Sequence, residues 1–195
     1  MIAFPRLLLF ARFPTPGVCK TRLIPALGAE GAAALHRHLT ERTVATLRQS
    51  GCRVTLAYTG AEEAAFAAWL GPDVALVEQV AGDLTAKLMA CLDPAPVIFF
   101  GADTPDLELR HIEQAIAALQ THDVVIGPAD DGGYYLIGMR APLPQLLTDM
   151  PWSTDRVLPE TLARLGQMGI EPVLLETLAD CDRPEDLARW PDLTA

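Results

Sequence analysis

Apolar runs of strand length alternate along this chain with longer stretches of helical period, and one run, Pro96-Val97-Ile98-Phe99-Phe100, is apolar without a break. The alternation predicts βα units, and the unbroken run a central strand buried on both faces. Together they predict an α/β protein around a mostly parallel sheet. The 195 residues suit a single domain, 1–195, long enough to bury one substantial core.

The elements follow in order. Residues 6–10 predict the first strand. From residue 30 to 49, Leu35, Leu39, Thr43 and Leu47 recur four apart on one helical face, and Gly51 supplies the stop. Residues 53–58 predict the second strand, 62–70 a short helix, 74–77 a short strand and 84–92 a helix opened by Gly82-Asp83. After the central strand, Ile112, Ile116 and Leu119 mark one side of a helix over 108–120, and a strand over 124–127 follows directly. Residues 134–139 return as a strand too soon for a parallel crossover, which predicts antiparallel pairing or a sharp bend. Pro151-Trp152-Ser153-Thr154 opens a helix toward Met168, with Pro159 tolerated near its start. A strand over 172–175 and a helix over 184–190 complete the set.

Composition excludes several functions. Half the residues are hydrophobic and 21% are charged, which marks a folded globular chain. A net charge of −10 argues against a nucleic-acid surface, which needs a broad basic face. Cys19, Cys52, Cys91 and Cys181 are scattered without zinc-like spacing, so free thiols in a reducing compartment are expected. Met1 to Phe13 carries Pro5 and Arg6 inside its apolar stretch and reads as a buried strand rather than a signal peptide. No apolar run reaches the ~20 residues of a membrane span. These features place the protein in the cytoplasm and assign no oligomeric state.

Ligands of an open α/β sheet bind beyond the carboxyl ends of its strands, which singles out three loops. The first is Pro14-Thr15-Pro16-Gly17-Val18-Cys19-Lys20-Thr21-Arg22-Leu23. A P-loop needs glycine before its lysine, and Cys19 stands there, so that reading fails. Lys20 as a point charge and Arg22 as a planar fork still suit a di- or triphosphate. A solvated basic loop stiffened by proline is the other reading.

The second loop is Gly101-Ala102-Asp103-Thr104-Pro105-Asp106. Asp103 at the end of the central strand suits a Mg²⁺ that also binds substrate phosphate, while Asp106 or Thr104 suits the cap of the next helix. In the third, Pro128-Ala129-Asp130-Asp131-Gly132-Gly133-Tyr134-Tyr135, carboxylates precede paired glycines and two aromatics. This suits an ordinary tight turn or a pocket for a sugar or other hydroxylated group, the glycines allowing close approach to the backbone. Asp180-Cys181-Asp182-Arg183-Pro184-Glu185-Asp186 either caps the last helix or offers a second metal carboxylate. His36, His38, His111 and His122 are assigned surface or capping roles and no chemistry.

Taken together, "FPTPGVCKTRL", "GADTPDL", "GPADDGGYYLIGM", "PWST" and "DCDRPEDL" occur in this order over nearly the whole chain. The set resembles the bacterial GT-A-like transferases labelled nucleotide-diphospho-sugar transferase or arsenosugar-biosynthesis glycosyltransferase. The resemblance implies a GT-A-like three-layer sandwich that binds a nucleotide or nucleotide-sugar and a small acceptor, with Mg²⁺ or Mn²⁺. It implies that Gly17, Lys20 and Arg22 wrap the nucleotide phosphates and that Gln79 and Gly82 meet the base. It also implies that Asp103 and Asp182 bind the metal, and that Asp131, Gly132, Gly133 and Tyr134 line the acceptor or sugar pocket. The glycosyltransferase D-x-D is absent, Gly101 standing two before Asp103, and the Asp-x-Pro form is similar to the nucleotidyltransferase branch.

The expected reaction is therefore glycosyl or nucleotidyl transfer. Lys20, Arg22 and the metal would stabilise the phosphate charge, and Asp131 would deprotonate an acceptor hydroxyl in the glycosyl case. A catalytically silent nucleotide-binding regulator is the alternative, separated from it by the absence of turnover. A phosphatase of the haloacid-dehalogenase kind is disfavoured, since the first strand carries no D-x-D pair.

Overall fold

The computed structural model describes residues 4–193, so Met1–Ala3 of the segment read as a first strand, and the last two residues of the span 1–195, lie outside the described residues. The order is β1 (Arg6–Arg12), α1 (Ile24–Gln49), β2 (Val54–Thr59), α2 (Glu63–Leu70), β3 (Ala75–Glu78), α3 (Leu84–Cys91), β4 (Val97–Phe100), α4 (Leu109–Ala118), β5 (Val124–Pro128), β6 (Tyr134–Met139), α5 (Val157–Gln167) and β7 (Val173–Leu174). Among the described residues seven strands form one sheet in the order β3-β2-β1-β4-β6-β5-β7. Pairing is parallel except for β6, which runs antiparallel to both β4 and β5. The early return at Tyr134 is thus resolved as an antiparallel insertion, and it leaves the carboxyl ends of β1, β4 and β5 on one edge.

Alternation along β1 builds the layers. Leu7 and Leu9 pack with Val44, Leu47, Ile112 and Leu119, which belong to the α1 and α4 side. Leu8 points the other way and joins Leu88, Phe99, Ile137 and Leu165 on the α3 and α5 side. Every residue of β4 is buried, as a strand at the middle of a three-layer sandwich requires. A third cluster, with Leu23, Leu35, Leu39 and Cys181 and with Trp190 against it, fastens the C-terminal segment onto α1.

Three element ends differ from the sequence reading. The helix α1 begins at Ile24 but is broken at Gly28 (φ 71°, ψ 170°), so its continuous part lies where the leucine spacing placed it. Pro151 opens a turn and not a helix, because Ser153 adopts a left-handed backbone (φ 62°) and α5 starts only at Val157. The last helix is a 3₁₀ turn over Pro184–Arg189. All four cysteines are free, as their spacing predicted.

Candidate functional site

The loop after β1 is built around a buried thiol. Gly17 turns the chain with φ 83°, and Cys19, 4% exposed, donates its Sγ–H to the Phe13 carbonyl at 3.2 Å. The residue that rules out a P-loop is therefore the anchor of the loop. Lys20 follows in left-handed backbone (φ 43°), which sends its side chain inward. Its ammonium lies 2.6 Å from Asp103 Oδ1 and 3.2 Å from Asp182 Oδ1, and it donates to the Cys181 carbonyl at 2.7 Å. Arg22 Nη1 donates to Asp182 Oδ2 at 2.9 Å from a mostly exposed side chain. The structure thus gathers Lys20, Arg22, Asp103 and Asp182 into one ion-pair cluster.

Burial alone would lower the Lys20 pKa, but the charges of Asp103 and Asp182 outweigh it and hold it above the ordinary lysine value. Burial pushes Asp103 upward, and the adjacent Lys20 more than reverses this, keeping its carboxyl below the usual range. Both groups are charged at neutral pH.

Backbone pairing delivers the C-terminal carboxylates to this edge. Leu178 extends alongside β5, donating to the Pro128 carbonyl and accepting from Asp130 N–H, each at 3.0 Å. Cys181 N–H then donates to the Asp103 carbonyl at 2.8 Å, and the Thr104 hydroxyl to Asp180 Oδ1 at 2.6 Å. Burial, with a smaller push from the nearby carboxylates of Asp103, Asp131 and Asp182, raises Asp180 to about 7 against the opposing Thr104 hydrogen bond.

The caps fall elsewhere than expected. Thr104 is bonded to Asp180, and Asp106 accepts from Trp190 Nε1. The helix α4 is capped instead by Glu108 reciprocally with His111, whose Nδ1 accepts from the Glu108 N–H. Asp186 caps the last turn by accepting from the N–H groups of Asp182 and Arg183, which frees the Asp182 carboxylate for the two cations. His111 is thus a capping residue, while His36 is buried, its Nε2 donating to the Arg12 carbonyl, and does not lie on the surface.

The remaining predicted residues surround the cluster. Gln79 follows β3 and donates Nε2 to the carbonyls of Ala57 (2.7 Å) and Ala11 (3.4 Å), so its Oε1 is the atom it can offer a ligand. Gly82 takes φ 119° just ahead of α3. In the third loop Asp131 Oδ1 accepts from the Gly133 N–H at 2.8 Å. Gly132 (φ 89°) is required by packing: a Cβ there would stand 2.5 Å from the Asp155 backbone, so this glycine brings the α5 approach, and not a ligand, close to the loop.

Beside these residues opens a cavity of about 220 Å³, lined by the polar Asp131, Ser153, Thr154 and Asp180, by Gly101, and by the apolar walls of Phe10, Leu84, Leu88, Phe99, Tyr134 and Trp152. Sequence reasoning identified Tyr134 but missed the other walls and the Thr104–Asp180 bond. Trp152 stood in the quoted "PWST" motif, the one signal that pointed there.

Among the described residues no group of three or more His, Cys, Asp or Glu side chains is placed to hold a metal ion. The two carboxylates that face one ammonium nevertheless fit Mg²⁺ or Mn²⁺. Such ions take hard oxygen donors and commonly use only one or two protein carboxylates, with water and phosphate completing the shell. Also among the described residues, no helix is long and apolar enough to cross a membrane.

Residues 43–154 match the family model of an uncharacterized protein conserved in bacteria (DUF2064). A provisionally assigned nucleotide-diphospho-sugar transferase from Desulfovibrio desulfuricans G20 is 30% identical, with 94% of this chain and 84% of that one covered and a TM-score of 0.88. A nucleotidyl transferase from Methanothermobacter thermautotroptrophicus is 20% identical over 97% of this chain and 96% of that one, with a TM-score of 0.67. A manganese complex of a Mycobacterium tuberculosis H37Rv protein is 19% identical over 96% and 97%, with a TM-score of 0.55. No curated protein matches the chain.

Proposed function

This chain belongs to the DUF2064 family and has a GT-A-like α/β fold, and from that premise we propose that it is a transferase using a nucleotide or nucleotide-sugar. It passes a nucleotidyl or glycosyl group to a small acceptor. The observation that carries this reading is the convergence of Lys20, Arg22, Asp103 and Asp182 on the carboxyl edge of the sheet. Two cations and two carboxylates at that edge are what a metal-bound phosphate chain needs. The names of the Desulfovibrio and Methanothermobacter proteins, and the manganese in the mycobacterial complex, support it.

Asp103 and Asp182 would hold Mg²⁺ or Mn²⁺, which supplies positive charge to the phosphate oxygens as they gain negative charge. Lys20 exchanges a carboxylate for a phosphate oxygen when nucleotide arrives, and Arg22, already at the surface, clamps a second oxygen. Gly17 shapes that loop, and Gln79 and Gly82 border the base. Asp131, Gly133 and Tyr134, at the cavity, receive the acceptor, with Gly132 holding their loop against Asp155.

In nucleotidyl transfer an acceptor phosphate attacks the α-phosphate of a nucleoside triphosphate and pyrophosphate leaves. In glycosyl transfer an acceptor hydroxyl attacks the sugar carbon, Asp131 takes its proton and a nucleoside diphosphate leaves. Thermal-shift screening of nucleotides and nucleotide-sugars with Mg²⁺ tests the reading, since a ligand of the folded state raises the melting temperature. A pyrophosphate-release assay then separates the two reactions. No shift with any nucleotide overturns the reading, and binding without turnover across a broad panel favours the silent regulator.

A further inference from the structure

The cavity beside the cluster has a chemical character of its own. Leu88 and Phe99 are almost fully buried at its walls, while Leu84 is 38% exposed at the first turn of α3. A helix N-terminus favours an acidic side chain there, and folding gains little from a half-exposed leucine. The two aromatic walls turn their polar tips elsewhere. Trp152 Nε1 donates to Thr85 Oγ1 at 2.8 Å, Thr85 in turn donates to the Leu147 carbonyl, and the Tyr134 hydroxyl is buried on the α5 side beside Thr161. Trp152 and Tyr134 meet edge to face at 6.3 Å, a rigid hydrocarbon corner.

A hydroxyl-rich ring placed among these walls would lose water and find no partner, which penalises it. A cavity of about 150 Å³ already holds benzene, so the volume here, about 220 Å³, admits a substituted ring or a short branched alkyl chain. The polar side chains of the lining are few, Asp131, Ser153, Thr154 and Asp180, and the lining also includes Gly101, in the loop that carries Asp103.

The geometry points to a small amphiphile as the ligand of this cavity: an apolar group of phenyl size inserts between Leu84, Phe99, Tyr134 and Trp152, and a polar end remains beside Asp131 and Asp180. Resting on the transferase reading, this amphiphile is the acceptor, and its polar end carries the nucleophile. Specificity then comes from the apolar group, and a free sugar is a poor acceptor.

Calorimetric titration of benzyl alcohol, with erythritol as the polar control, tests this on the full chain with Mg²⁺ and the nucleotide giving the largest thermal shift. Benzyl alcohol is expected to bind in the millimolar range and erythritol not to bind. Leu84→Asp, at an exposed position, is expected to weaken benzyl alcohol at least fivefold with nucleotide affinity unchanged, and Leu84→Gln to weaken it less. Erythritol binding in place of benzyl alcohol, or equal benzyl alcohol affinity in both variants, overturns the assignment. Benzyl alcohol binding without any nucleotide binding upholds the apolar site and removes the transferase reading. Nucleotide binding without benzyl alcohol binding does the reverse.

Discussion

The Lys20 ammonium lies 2.6 Å from Asp103 Oδ1, with 3% of the lysine side chain exposed against 45% of the aspartate's. This asymmetry orders the cost of breaking the pair. Asp103→Ala leaves a buried ammonium with Asp182 and the Cys181 carbonyl as its partners, whereas Lys20→Met leaves two carboxylates that water can reach. Discounted for the exposure of Asp103, the first change should destabilise by about 1–2 kcal/mol and the second by less than about 1 kcal/mol. Urea denaturation at pH 7 without nucleotide checks the order, and a costlier Lys20→Met contradicts it.

Arg22 should separate binding from stability. Its side chain is 56% exposed and pairs only at the surface with Asp182, so Arg22→Ala should change stability by no more than about 0.5 kcal/mol. A lost charge-assisted phosphate contact costs about 1.5–3 kcal/mol, which lowers nucleotide affinity roughly tenfold to a hundredfold. Calorimetric titration with Mg²⁺-nucleotide measures it, and unchanged affinity removes the loop from the site.

Metal removal supplies a third test. With nucleotide present, Mg²⁺ should raise the melting temperature of the wild type more than that of Asp103→Asn or Asp182→Asn, and EDTA should abolish the difference. Equal Mg²⁺ responses in all three proteins would place the ion elsewhere.

Asp180 gives a pH dependence whose sign is fixed. Its carboxyl is pushed up to about 7 in the fold, and an unfolded aspartate titrates near ~3.9, so between these values the folded protein holds a proton that the unfolded chain lacks. Stability from this group is therefore fully present below ~3.9 and is lost as pH rises through about 7. The loss amounts to as much as about 4 kcal/mol. In metal-free buffer, the wild type should lose stability between about pH 4 and about pH 7, relative to Asp180→Asn. The variant keeps an acceptor for the Thr104 hydroxyl. Parallel pH profiles would refute the assignment.

Much of this arrangement was legible in the sequence. The unbroken apolar run at Pro96–Phe100 read as a central strand, and the family resemblance paired Asp103 with Asp182, which the structure joins through Lys20. The cavity was legible only at its Asp131–Tyr134 side, because Leu84, Phe99 and Trp152 come from three other segments and each reads alone as ordinary core. The caps failed for a related reason. Thr104 and Asp106 have the right chemistry and position for α4, but the C-terminal segment claims both through Asp180 and Trp190, a competition between distant residues that no local pattern records.

The late position of Cys181 and Asp182 has a consequence for synthesis. Lys20 is made early and meets their carbonyl and carboxylate only when nearly the whole described chain exists. Translation proceeds from the N-terminus at about 5–20 residues per second, so a ribosome-bound chain carries Lys20 for roughly 8–30 seconds before the partners that position it emerge. A chain stalled before Leu178 can form β1 and β4 yet lacks the segment that closes the cluster. The cluster therefore assembles only in chains extended at least through Asp182.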